Sequence, residues 1–431
     1  MVVLRRIDLR GSSAELAELL PRPQTPTGGP IDAVREIVAA VRDKGDAAVR
    51  EFTERFDGVV PESLSVGRPE MLAALDRLDA GVRAALEQAA ERIRSYHLAQ
   101  MPGDVTVDHP GLSIRGLHRA VERAACYVPG GRAVYPSTVL MTAVPAAVAG
   151  VDEVVVCVPP GPDGSVPDVV LAASAVAGVH EVVPVGGAQA IAAVAFGTES
   201  IEPVDVIVGP GNVYVALAKQ EVAGVVGVPS SFAGPSEVVV VGDGSVRADY
   251  AAVDVILQAE HGPDGLAWFV TWNETFADEV LVAIDKLVAT APRRSEIEST
   301  LESSGIAVIC ESPEQAMAVA NFIAPEHLEL QTADDDALLS LVRHAGAVFC
   351  GAHTPASLGD YVAGPSHVLP TNGTARFAGA LTVRDFMKDL HVVQADEHGL
   401  DVLGDAVEAL AGAEGLDAHA ASIRIRRGAE R

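Results

Sequence analysis

The chain has 431 residues, 49% of them apolar and 4% aromatic, with a formal net charge of −28. That length suits two or three domains at roughly 150 residues each, and the apolar share is ample for a large core. The acidic balance excludes nucleic acid or an anionic membrane surface as the main partner. No apolar run approaches the roughly 18 residues of a membrane span. The start, Met1-Val-Val-Leu-Arg-Arg6, runs into polar sequence and does not read as a signal peptide.

Residues 1–24 read as an N-terminal segment. Two amphipathic helical stretches follow, around Ile31–Phe56 and Glu70–Ala99, parted by Asp57-Gly58 and Pro61; they read as a packing or dimerisation layer. From Tyr127 the pattern alternates strand and helix. Val154–Val158, Val182–Val185 and Val204–Val208 are strand-like, and Asp168–Ala177 is helical after Pro167. Gly186-Gly187 opens a helix through Ala195, and Gly209-Pro-Gly-Asn212 opens another through Lys219. A second alternating series runs from the valine strand Val238–Val241 to about Gly351, with strands Trp268–Trp272, Ile306–Ile309 and Val348–Cys350. After Thr374 the alternation ends, and Asp405–Leu410 and Ala418 onward read as a short helical tail.

The fold class is therefore α/β: two incomplete Rossmann-like domains with mostly parallel sheets, a helical N-terminal segment and a C-terminal tail. The expected division groups 25–126 with 236–375 as a main domain, sets 127–235 apart as a second α/β domain, and leaves 376–431 as the tail.

The chemistry-bearing residues are scattered. The four cysteines, Cys126, Cys157, Cys310 and Cys350, form no C-x-x-C pair and read as reduced core residues of a cytoplasmic protein. A metal site must therefore use nitrogen and oxygen ligands. In Gln258-Ala-Glu-His261-Gly262 the glutamine and histidine lie three apart on one helix face, where both can reach a metal; taken alone, this spacing is more often a surface helix end than a site. Glycines between strands and helices suit phosphates or simply tight turns, and neither Gly209-Pro-Gly211 nor Gly186-Gly187 has the standard dinucleotide spacing. Glu326-His327 closes a helical pattern and offers two neighbouring bases. Asp360 sits in a loop after Gly359, His367 follows in Gly364-Pro-Ser-His367, and His419 lies in the tail with Glu414 five residues before it.

Taken together, these segments resemble histidinol dehydrogenase across nearly the full chain. The resemblance is carried by Tyr127-Val-Pro-Gly-Gly131, Val185-Gly-Gly-Ala-Gln189, Gly209-Pro-Gly-Asn212, Ala233-Gly-Pro-Ser-Glu237, Gln258-Ala-Glu-His261-Gly262, Ala324-Pro-Glu-His-Leu328, Leu358-Gly-Asp-Tyr361 and His367-Val-Leu-Pro-Thr371, in the family's order and spacing. It implies oxidation of L-histidinol through L-histidinal to L-histidine with two NAD⁺, the last step of histidine biosynthesis. It further implies a zinc ion on Gln258, His261, Asp360 and His419, and NAD contacts from Tyr127, Gln189 and Asn212. Glu326 and His327 would be the acid–base pair. Ser236 and Glu414 would bind substrate together with His327 and the zinc ligands. The implied assembly is a homodimer whose tails complete each other's sites. Two rivals stand beside this reading: a sister zinc/NAD dehydrogenase of another small polar alcohol, such as a sulfonated diol, and a non-catalytic zinc-stabilised scaffold.

Overall fold

The computed structural model describes residues 4–21, 30–130, 133–230, 234–260 and 265–428. Its strands are β1 Arg5–Asp8, β2 Val66–Gly67, β3 Val105–His109, β4 Leu112–Ala120, β5 Arg123–Tyr127, β6 Glu153–Cys157, β7 Glu181–Val183, β8 Val206–Val208, β9 Glu237–Gly242, β10 Leu266–Thr271, β11 Ile306–Ile309, β12 His327–Gln331, β13 Ala347–Cys350 and β14 Met387–Ala395. They form a six-stranded sheet, β1-β11-β10-β9-β12-β13, and a five-stranded sheet, β2-β7-β6-β5-β8. All pairings in the first are parallel; in the second only β2–β7 is antiparallel. The α/β class and the mostly parallel sheets match the sequence expectation.

β9 shows why its valines form a strand. β-branched side chains suit the pleat, and a strand covered on both faces needs no polar alternation. Val238 and Val240 pack with helices Ala248–Ala259 and Glu274–Val288, while Val239 and Val241 pack with helix Pro313–Ile323.

Several expectations need correction. The two N-terminal helical stretches are four helices, Ile31–Lys44, Asp46–Asp57, Arg68–Arg77 and Ala80–Ala99. Gly45 breaks the first pair at a left-handed φ of 55°. Their apolar stripes cover the five-stranded sheet: Val34, Ile37 and Val41 on the face of Ala125 and Tyr127, Met71, Ala74 and Ile93 on the face of Ala124 and Cys126. Packing thus joins them to the five-stranded sheet. The N-terminal segment supplies β1, an edge strand of the other sheet. The tail is more than helical, because β14 joins the β3–β4 hairpin in an antiparallel three-stranded sheet before helices Glu397–Ala413 and Asp417–Arg426. The alternation of Met387–Ala395 carries too many polar residues to stand out as a strand in the sequence.

The β8 turn shows how closely the backbone must pass. Gly209 sits at φ 101°, and a Cβ there would lie 2.1 Å from the Tyr127 carbonyl oxygen. Buried Lys219 donates to the Gly209 carbonyl at 2.5 Å and pins the turn from behind. Gly209→Ala is expected to cost about 1–3 kcal/mol of stability through strain and clash, read as a lowered midpoint in chemical denaturation.

Candidate active site

Two cavities meet at Pro129, which lines both. The larger, about 390 Å³, is lined by Tyr127, Gly187, Gln189, Asn212 and Tyr214 among others. It lies beyond the carboxyl ends of β5, β7 and β8. Because β5 pairs with β6 on one side and β8 on the other, this is a switch point in strand order, where open α/β sheets take their ligands. Tyr127 is buried, and its hydroxyl oxygen accepts the Gly187 N–H at 3.0 Å. Asn212 caps helix Val213–Val222, its Oδ1 accepting from Tyr214 and Val215 N–H, which leaves its NH₂ as donor. Gln189 is buried with neither its amide oxygen nor its nitrogen partnered. Such a group is costly unless a ligand satisfies it, so this cavity fits a polar cofactor such as NAD.

The smaller cavity, about 220 Å³, is lined by Ser236, Gln258, Glu326, His327, Asp360 and His367, with Tyr135, Thr138, Pro210 and Tyr361. It lies at the amino ends of β9 and β12, opposite in sense to the first. The Glu326-His327 pair is delivered by a forced turn. Helix Pro313–Ile323 ends because Pro325 disfavours helical backbone at Ala324, which adopts a left-handed φ of 55° instead. His327 then begins β12, a strand absent from the sequence reading because Glu329 and Gln331 mask it. Asp360 lies not in a loop but in helix Ala356–Tyr361.

His327 Nδ1 lies 3.1 Å from the Glu237 carbonyl oxygen, an obligate acceptor, so Nδ1 carries the proton. Nε2 is left facing Asp360 Oδ1 at 3.2 Å. The Glu237 N–H donates to Glu326 Oε2 at 3.0 Å, and the Ser236 hydroxyl also hydrogen-bonds Glu326. Burial pushes Glu326 up to about 7 against the pull of His327. Burial works against charge on His327, but Glu326 and Asp360 outweigh it and raise it to about 9. Glu326 is thereby placed to exchange a proton near neutral pH, and the two carboxylates favour the protonated imidazole of His327.

Gln258 ends helix Ala248–Ala259 with its Oε1 buried and unpartnered at the cavity. An orphaned oxygen beside the Asp360 carboxylate fits a cation. His261 lies outside the described residues. Glu414 and His419 are exposed on the tail and do not line this cavity. Among the described residues no group of three His, Cys, Asp or Glu is spaced to hold a metal.

The histidinol dehydrogenase family model matches residues 20–427. The chain belongs to the histidinol dehydrogenase family. It is 47% identical to histidinol dehydrogenase of Parasynechococcus marenigrum over 421 residues, covering 97% of this chain and 96% of that one. It is 48% identical to that of Pseudomonas aeruginosa over 397 residues, covering 91% and 90%. The crystal structure of histidinol dehydrogenase from Elizabethkingia anophelis superposes with a TM-score of 0.93 at 31% identity, covering 98% of each chain. The protein is thus an NAD-dependent dehydrogenase, an oxidoreductase of histidine biosynthesis, and the non-catalytic scaffold reading falls. The described residues lining the smaller cavity include no Arg or Lys.

Sequence reasoning left His367 without a role. In the structure its Nδ1 donates to the Asp360 carbonyl at 2.8 Å, and its Nε2 lies 3.1 Å from the Thr138 hydroxyl. Nothing in the sequence marks Glu237 as a site residue. Its buried carboxylate accepts the N–H groups of Glu326 at 3.3 Å and Asn372 at 2.9 Å. Burial, and next the neighbouring Glu326, push Glu237 up from 4.5 to about 8. A carboxyl raised on folding binds its proton more tightly in the folded state, so its contribution to stability declines as pH rises from 4.5 to 8. Glu237→Gln gives up one accepted hydrogen bond but cannot ionise. The wild-type advantage over this variant is therefore expected to shrink between pH 5 and pH 8.5, as read by denaturant titration at the two values.

Proposed function

We propose that this protein oxidises L-histidinol to L-histidinal and then to L-histidine, the last step of histidine biosynthesis, reducing two NAD⁺ in turn and using zinc to position the substrate. The observation that carries this reading is the pairing of unmet groups across Pro129: the orphaned Gln189 amide in one cavity, and the orphaned Gln258 oxygen beside Asp360, Glu326 and His327 in the other.

In this reading Gln258, His261 and Asp360 of one chain and His419 of a partner chain hold the zinc. The zinc supplies a Lewis-acid anchor for the amine and imidazole nitrogens of the substrate. Ser236 and Glu414 add hydrogen bonds and charge complementarity to the substrate. His327, Gln258, His261, Asp360 and His419 complete the substrate shell. Tyr127, Gln189 and Asn212 would hold NAD in the larger cavity.

His327 Nε2 accepts the alcohol proton as hydride leaves the carbinol carbon for the nicotinamide, giving aldehyde, NADH and imidazolium. Glu326 then takes a proton from water as its oxygen adds to the aldehyde carbon. His327, having released its proton, accepts one again as the hydrate gives up its second hydride. The alternating Nε2 role requires Nδ1 to stay donated to Glu237, which keeps one tautomer throughout.

Purified protein is expected to yield two NADH per L-histidinol consumed, with activity lost to a strong chelator and restored by zinc. A yield of one, or turnover indifferent to the chelator, would contradict the scheme.

The homodimer and a cytoplasmic setting belong to the same proposal. Among the described residues no helix is long and apolar enough to cross a membrane. Glu414 and His419 stand exposed on a tail that also exposes Val393, Val402, Leu410 and Ile425, each 60–67% accessible. Apolar residues so displayed suit burial against a second copy. His327→Asn and His419→Asn should each be inactive alone. Mixed after subunit exchange, about half the dimers become hybrids with both lesions in one site, so activity should return to roughly a quarter of wild type. No recovery after verified exchange would rule out a shared site.

A further inference from the structure

β12 places His327, Glu329 and Gln331 on one face and Leu328 and Leu330 on the other. The register aligns them with Val238, Val240 and Gly242 of β9. An apolar stripe would pack well there, yet this strand carries two further polar side chains. Glu329, Gln331 and Asp254, from helix Ala248–Ala259, are each at most 4% exposed. Gln331 Nε2 donates to Asp254 Oδ2 at 2.6 Å and to Glu329 Oε2 at 3.0 Å. The two carboxyls hydrogen-bond each other. Glu329 Oε1 accepts the Ala356 N–H at 3.0 Å.

The cluster therefore ties three elements together, and each carries one site residue a single repeat away. Asp254 is one helical turn from Gln258. Glu329 is one pleat from His327. Ala356 is one helical turn from Asp360. Burying two carboxyls costs stability that leucines would not. What such a network provides is a fixed mutual geometry among the pieces it joins.

We propose that Asp254, Glu329 and Gln331 are positioning residues, whose buried cluster sets the placement of Gln258, His327 and Asp360 and through it the metal affinity and acid–base alignment of the site. This rests on the zinc reading above. Outer-shell partners of a metal site commonly change its affinity without touching the metal. Here the effect passes through backbone as well as side chains, because the Ala356 N–H is the link to Asp360.

Glu329→Gln and Asp254→Asn keep the shape of the cluster but remove its carboxyl pair. Each full-length variant is compared with wild type by zinc competition against a chromophoric chelator, by kcat and KM for L-histidinol and NAD, and by thermal unfolding. The expected result in at least one variant is a cooperative fold, an unchanged KM for NAD, a zinc Kd weakened about tenfold and a matching fall in kcat. Both variants folding with wild-type zinc affinity and kcat would overturn the proposal. So would loss of NAD binding in parallel with zinc, or failure of both variants to fold, since either marks general support rather than positioning. A wild-type protein without zinc binding or L-histidinol turnover would bring down the zinc reading and this inference together; a normal wild type beside two normal variants brings down only this inference.

Discussion

The backbone of one residue, Glu237, fixes the chemistry of the site. The Glu237 N–H holds the Glu326 carboxylate, and the Glu237 carbonyl accepts His327 Nδ1–H. Because both groups belong to β9, the acid–base pair inherits the rigidity of a central strand buried on both faces. The Glu237 side chain returns the interaction by accepting the Glu326 N–H. A turn that would otherwise swing on Ala324 and Pro325 is thereby clamped at both ends, with Ala347 N–H donating to the Glu326 carbonyl from the next strand. Pre-organisation of this kind is what acid–base catalysis demands, since proton transfer requires heavy atoms already within hydrogen-bond reach.

The two sheets approach each other in opposite senses. The carboxyl edge of the five-stranded sheet lines the larger cavity, and the amino edge of the six-stranded sheet lines the smaller one. Carboxyl edges with helix N-termini favour a phosphorylated cofactor. The amino edge offers side chains instead, and this site uses them: a carboxylate pair, an imidazole and an unpaired amide oxygen. Division of labour between the halves follows from which strand ends face the cleft. The segment Tyr127–Gly130 joins them, with Tyr127 closing β5 and Pro129 lining both cavities.

Much of the fold was legible in the sequence because valine-rich runs such as Val238–Val241 and Val154–Val156 have few ways to be buried other than in a parallel sheet. β12 was not, since His327, Glu329 and Gln331 disguise a core strand as a polar stretch. The period-two alternation with Leu328 and Leu330 is the signal that finds it. The antiparallel sheet of β3, β4 and β14 was missed for the same reason, and because β14 pairs across more than 260 residues of chain. The candidate residues on the body were found by family resemblance. Their convergence on one cavity is a property of packing that spacing alone does not carry: Ser236, Gln258, Glu326, His327 and Asp360 share it, whereas Glu414 and His419 do not. The supporting partners Glu237, His367 and the Asp254–Glu329 pair act through hydrogen bonds to backbone or to one another, which leave no motif.

If the two cavities are the two walls of one reaction chamber, hydrogen must pass directly from substrate carbon to cofactor. Oxidation of L-histidinol carrying two deuterium atoms on the carbinol carbon, with mass analysis of the cofactor and the solvent, tests this most directly. The account predicts one deuterium on each of two NADH molecules and none in water. Deuterium released to water before it reaches the nicotinamide would contradict direct transfer between the two walls.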